Sequence, residues 1–170
     1  MNIMLIGFKN SGKTTIGKKL ASFLNKKFFD IDEIIEELFY KKYEKNLKVS
    51  LIFNFLKKQK FKEIETEAIL SLKNIKNAVI ATSGSFILNE DNFNILKNLT
   101  KIVYLKVSKE ILKKRVQEDK ENTIFKNDKF FEKEYEKRKD LYSKKAFFTL
   151  QADDINFDEI LRIIKGKINE

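Results

Sequence analysis

Eight consecutive residues, Gly7-Phe8-Lys9-Asn10-Ser11-Gly12-Lys13-Thr14, satisfy the pattern G-x-x-x-x-G-K-[ST] in full. The pattern has a physical reading. Gly7 and Gly12 permit backbone angles closed to other residues. The loop's N–H groups turn inward at the start of a helix and hold phosphate oxygens there. The Lys13 amine reaches the β- and γ-phosphates, and the Thr14 hydroxyl is a hard oxygen ligand suited to Mg²⁺. Asn10, Ser11 and Thr15 complete the expected nucleotide-binding set. The cofactors this implies are ATP and Mg²⁺.

A second group of candidates is acidic. Asp30 and Asp32 close a short apolar run, Phe28-Phe29-Asp30-Ile31-Asp32. On extended chain, spacing two puts both carboxylates on one side of the strand end. A carboxylate there can hold Mg²⁺ through water or accept a proton from an attacking hydroxyl. Either aspartate also suits the N-cap of the helix that follows. The chain has no histidine and no cysteine. Any general base is therefore a carboxylate, lysine, tyrosine or the substrate, and disulfides and thiolate metal sites are excluded.

The elements that must position these residues follow from hydrophobic periodicity. Short apolar runs at 2–6, 28–30, 78–82, 102–107 and 147–150 read as strands covered on both faces. Helical patterns lie at 13–24, 31–43, 61–72, 110–118, 129–144 and 157–168. Strand then helix, repeated, predicts an α/β three-layer sandwich: a five-stranded parallel sheet with helices on both faces. Ligands bind beyond the carboxyl ends of such strands. Residues 41–60 are helical in pattern but rich in lysine, which suggests a mobile cap. Residues 119–128 are polar and aperiodic, a candidate lid.

One domain is expected for 170 residues, 42% of them hydrophobic, with no proline and no linker composition. No apolar run spans a bilayer, and the N-terminal run is too short for a signal peptide. A monomeric, cytoplasmic protein without a membrane or nucleic-acid partner is expected. The formal net charge of +10 comes from dispersed lysines; only Arg115, Arg138 and Arg162 are arginines. Charge without clustering does not mark a nucleic-acid face.

With these residues in place, the chain resembles the shikimate kinase family along nearly its whole length. The residues that carry the resemblance are the phosphate loop and its helix start Lys13-Thr14-Thr15-Ile16-Gly17. They also include the segments Phe29–Glu36, Phe61-Lys62-Glu63-Ile64-Glu65, Ala81-Thr82-Ser83-Gly84-Ser85, Val103-Tyr104-Leu105 and Arg138-Lys139-Asp140-Leu141-Tyr142. The resemblance implies a nucleoside monophosphate kinase-like fold and ATP-dependent phosphorylation of the 3-hydroxyl of shikimate, a small-molecule acceptor. Residues 31–62 would form the substrate-binding region. By the same resemblance, Lys13 and Asp32 would be catalytic. Asp32, Lys62, Gly84 and Arg138 would bind the acceptor, with Gly84 offering its N–H and Arg138 gripping the carboxylate. Arg115 would stack on adenine, while Thr14 and Asp30 would hold Mg²⁺.

Three positions depart from the family pattern. Lys62 stands where the family has arginine, which keeps charge but loses the planar fork. Ser83-Gly84-Ser85 replaces a triple glycine, so a left-handed angle at either flank would be strained. Asn122-Thr123-Ile124-Phe125 lacks the lid's arginine, with Lys120 and Lys126 as nearby cations. Alternatives compatible with these departures are a same-fold kinase for another hydroxylated metabolite and an ATP-binding relative without turnover.

Overall fold

The computed structural model describes residues 1–120, 124–153 and 156–169. Five strands form one all-parallel sheet: β1 (Asn2–Ile6), β2 (Lys27–Asp30), β3 (Ala78–Ala81), β4 (Thr100–Lys106) and β5 (Phe148–Gln151). Their order is β2-β3-β1-β4-β5, with β1 central. All five residues of β1 and all four of β3 are buried, as a sheet covered on both faces requires.

Seven α-helices surround the sheet among the described residues: α1 (Lys13–Phe23), α2 (Ile31–Tyr43), α3 (Val49–Ser71), α4 (Glu90–Lys97), α5 (Lys109–Glu118), α6 (Asp128–Lys145) and α7 (Phe157–Asn169). On α1 the residues Ile16, Leu20 and Ala21 face the core, and on α7 Ile160, Leu161, Ile164 and Ile168 do so. These are helical i, i+4 and i, i+3 spacings. Strand register brings the sheet's carboxyl ends level: Ala81 pairs with Leu5 on one side and with Asp30 on the other. The residues after β1, β2 and β3 therefore emerge side by side.

Two elements differ from expectation. The lysine-rich stretch is not a separate piece. α2 runs to Tyr43, and α3 begins at Val49 and continues through 61–71 with a kink at Lys57, φ 62° and ψ 173°. Ile52 and Leu56 are buried, and Glu36 of α2 accepts the Val49 N–H at 3.0 Å, satisfying a helix-start donor. The second difference is α4, for which the periodicity gave no signal. Asn89 caps it, accepting from the Asn92 N–H, and Phe93 and Leu96 are its buried anchors.

Candidate active site

The phosphate loop connects β1 to α1, the setting its sequence demanded. Gly7 has φ 154°, and a Cβ there would lie 2.8 Å from the Leu105 carbonyl oxygen. Gly12 caps α1 in the left-handed region at φ 90°. The Lys13 ammonium is buried and curls back on its own loop, donating to the Phe8 carbonyl at 2.8 Å and the Gly7 carbonyl at 3.0 Å. Burial lowers its pKa to about 8, while Asp32 and Asp30 act to raise it. Ser11 is buried in the loop, and Thr14 and Thr15 are exposed on the first turn of α1.

Asp30 and Asp32 reach the site by a different route from the one expected. Asp30 ends β2, but Asp32 is already in the first turn of α2, so the two are not alternate residues of an extended strand. Helix capping and site chemistry meet in Asp30. Its Oδ1 accepts the Asp32 N–H at 3.0 Å, and its Oδ2 accepts the Thr14 hydroxyl at 2.7 Å. A hydroxyl and a carboxylate held together this way form a hard-oxygen pair suited to Mg²⁺. Asp32 keeps some exposed surface, yet its Oδ1 is enclosed with no hydrogen-bond partner. Desolvation, and then the neighbouring Asp30, push its carboxyl up to about 6; Lys13 pulls the other way.

Of the residues expected to bind the acceptor, Gly84 and Arg138 meet at the turn after β3. A Cβ on Gly84 would sit 2.9 Å from the Lys9 backbone nitrogen, so only glycine lets this turn approach the phosphate loop. The flanking serines carry no strain: neither has a positive φ, and Ser85 sits at φ −97°. The Gly84 carbonyl accepts from Arg138 Nη1 at 3.3 Å and from the Tyr142 hydroxyl. Arg138 lies against the touching Phe8 and Phe125 rings, 5.5 and 5.7 Å from their centroids, and pairs with Glu134 one helical turn away. Its Nε is enclosed without a partner. Lys62 behaves differently. It is half exposed, and its ammonium lies 3.8 Å from Asp91 of α4.

On the other side of the loop, Asn10 ties the phosphate site to α5. The Asn10 carbonyl accepts from Arg115 Nη1 at 3.1 Å, and its side-chain amide donates to Asp119 at 3.1 Å. Arg115 thus stands beside the phosphate loop, held by its backbone. Within the expected lid, residues 121–123 lie outside the described residues. Ile124–Lys126 forms a short 3₁₀ turn, and Phe125 packs edge-on against Phe8 at 5.4 Å. Phe8, Phe125 and Tyr142 entered the sequence reasoning only as members of motif segments, without a role, and Glu134 escaped it. The i, i+4 spacing of Glu134 and Arg138 offered a signal for the former, but α6 is too rich in charged residues for one such pair to stand out.

A β2-β3-β1-β4-β5 parallel sheet with this loop after its central strand, and carboxylates beside it, defines a P-loop phosphotransferase of the nucleoside monophosphate kinase-like fold. The model of the shikimate kinase family matches residues 9–168. A shikimate kinase from Sulfurihydrogenibium sp. is 33% identical over 168 residues, covering 98% of this chain and 97% of the relative. Among solved structures, shikimate kinase from Acinetobacter baumannii in complex with shikimate superposes with a TM-score of 0.86. It is 27% identical, covering 99% of this chain and 92% of that one. The enzyme from Bacteroides thetaiotaomicron gives a TM-score of 0.85 at 26% identity, covering 100% and 99%. The chain belongs to the shikimate kinase family.

Proposed function

We propose that this protein transfers the γ-phosphoryl group of ATP to the 3-hydroxyl of shikimate. One observation carries the reading beyond family membership. Among the described residues, two buried polar side-chain atoms have no partner of their own, the Asp32 Oδ1 and the Arg138 Nε. One is an acceptor suited to a hydroxyl and the other a charged donor suited to a carboxylate. Buried groups left unpaired are costly, so such a pair marks the place of a ligand with complementary groups. Shikimate has both.

The chemistry follows from the residues. The loop N–H groups and Lys13 hold the nucleotide's phosphates, and Lys13 exchanges its contacts with the Gly7 and Phe8 carbonyls for phosphate oxygens. Asp32 orients the acceptor hydroxyl and takes its proton as the oxygen attacks the γ-phosphorus and the bond to the ADP oxygen breaks. A pKa raised to about 6 makes this carboxylate a better base than an ordinary aspartate, while it stays ionised at neutral pH. Arg138 fixes the far end of the ring, and Gly84 sets how closely the acceptor turn sits against the loop. Thr14 and Asp30 would hold Mg²⁺, which supplies charge neutralisation at the phosphates.

The test is ADP release by purified protein with Mg·ATP, with and without shikimate. Saturable stimulation by shikimate is expected. ATP binding without any shikimate-dependent release would overturn the reading and turn the search to other hydroxylated acceptors.

A further inference from the structure

A guanidinium selects a carboxylate by direction, so Arg138 is useful to the acceptor only if its planar fork is held in one orientation. Its Nη2 pairs with Glu134, but Glu134 lies one turn earlier on the same helix. That pair fixes the fork relative to α6 and to nothing else. The bond that ties it to the rest of the site runs from Nη1 to the Gly84 carbonyl, at 3.3 Å. This carbonyl is itself held, because the Tyr142 hydroxyl, one turn further along α6, donates to it. Tyr142 is fully buried and stacks on Tyr104 of β4, with ring centroids 5.0 Å apart. Burial pushes its phenol up from the usual tyrosine range, so the hydroxyl stays a donor. Tyr104 in turn pairs with Ile6, the last residue of β1 before the phosphate loop. Lys145 secures the same turn three residues on, donating to the Ile87 carbonyl at 3.3 Å. Arg138, Tyr142 and Lys145 share one face of α6, at i, i+4 and i+7, and all three bond carbonyls of residues 84–87.

We propose that Tyr142 is a positioning residue for the acceptor: by holding the Gly84 carbonyl, it fixes the direction in which Arg138 presents its unpaired Nε to the acceptor's carboxylate. This rests on the shikimate reading and adds a residue that never touches the substrate. A carbonyl oxygen has two lone pairs, and here Arg138 takes one and Tyr142 the other. Without the hydroxyl the carbonyl is free to turn, and the Nη1 bond turns with it. The Nε then meets the carboxylate off line, where a hydrogen bond weakens steeply. The loss falls on acceptor binding, because the loop and Lys13 hold the phosphates independently of α6.

The experiment is steady-state kinetics of the full chain with Tyr142→Phe, which removes the hydroxyl and keeps the stacked ring. KM for shikimate should rise about fivefold, with kcat and KM for ATP changed less than about twofold. A double-mutant cycle with Arg138→Lys tests whether Tyr142 acts through Arg138. A lysine has no second nitrogen to share between the Gly84 carbonyl and a ligand, so adding Tyr142→Phe to Arg138→Lys should weaken shikimate binding less than about twofold further. The cycle is read by calorimetry as the dissociation constant for shikimate, which needs no turnover in the Arg138→Lys variant. No shikimate-dependent turnover in the parent overturns the functional reading and this inference with it. Turnover in the parent with KM for shikimate unchanged in Tyr142→Phe, with the loss falling on kcat or on ATP instead, or with the two substitutions additive in the cycle, overturns the inference alone.

Discussion

Burial raises the Asp32 carboxyl to about 6 and lowers the Lys13 ammonium to about 8, so the free protein has both groups charged only between those values. On the proposed mechanism, activity needs Asp32 ionised, which holds above about 6, and Lys13 protonated, which holds below about 8. The kcat/KM profile for the acceptor is therefore expected to fall off on both sides of that window. A profile flat down to pH 4.5 would contradict the role of Asp32. Stability has the opposite sensitivity. The folded-state pKa of Asp32 lies above its ordinary value of 3.8, so folding gains from protonation as pH falls from about 6 toward 4. Asp32→Asn is expected to be more stable than the parent at pH 7 by about 1–3 kcal/mol, a gap that closes as pH drops through that window. Denaturant melts at pH 7 and 4.5 measure it. Asp30 separates two roles by chemistry. Asp30→Asn keeps an oxygen for the Asp32 N–H and should hold stability, whereas Asp30→Ala should lose about 0.5–2 kcal/mol. Both should weaken the Mg²⁺ dependence of ATP binding, read by calorimetry. Residues 7–14 and both aspartates were legible because each follows an apolar run that must be a strand. The orientation of Lys62 was not legible, because its partner Asp91 lies on a helix that left no periodic trace.

At the scale of elements, the turn after β3 and the phosphate loop form one joint, and Gly84 is its contact point. The sequence shows a single glycine surviving between two serines, which suggested backbone strain at the flanks. The structure gives a different reason for the survivor: the obstacle to a side chain is the Lys9 nitrogen, not a forbidden angle. Gly84→Ala should push the turn and loop apart by a few tenths of an ångström. The expected cost is about 1–3 kcal/mol of stability, with weaker ATP and shikimate binding together. Unchanged melting and unchanged affinities would show that the joint has slack. α4 was hidden because its eight residues include Asn92 and Asn94, poor helix formers, and one of these, Asn92, shares the buried face with Phe93 and Leu96, which breaks the apolar pattern. Its start was written in the acidic first turn, Glu90 and Asp91, behind the Asn89 cap. The lysine-rich stretch misled for a related reason: lysines crowd its surface while Ile52 and Leu56 quietly anchor it.

Across the whole molecule, the five-stranded parallel sheet was readable from alternating strand and helix patterns, because strands covered on both faces must be continuously apolar. The assembly of the site was less readable. It draws on residues from β2, α2, the turn after β3, α6 and the phosphate loop, which meet only because strand register levels Leu5, Ala81 and Asp30 at one edge. Sequence spacing cannot show that Arg138 meets Gly84 across 54 positions or that its guanidinium packs against both Phe8 and Phe125. The central claim is that the γ-phosphoryl group moves to one hydroxyl of shikimate. Proton-coupled phosphorus NMR of a reaction with Mg·ATP and shikimate tests this directly. The account predicts a new phosphomonoester resonance coupled to the single proton on carbon 3, growing in step with ADP. ADP formed alongside inorganic phosphate alone, or no new resonance at any shikimate concentration, would contradict it.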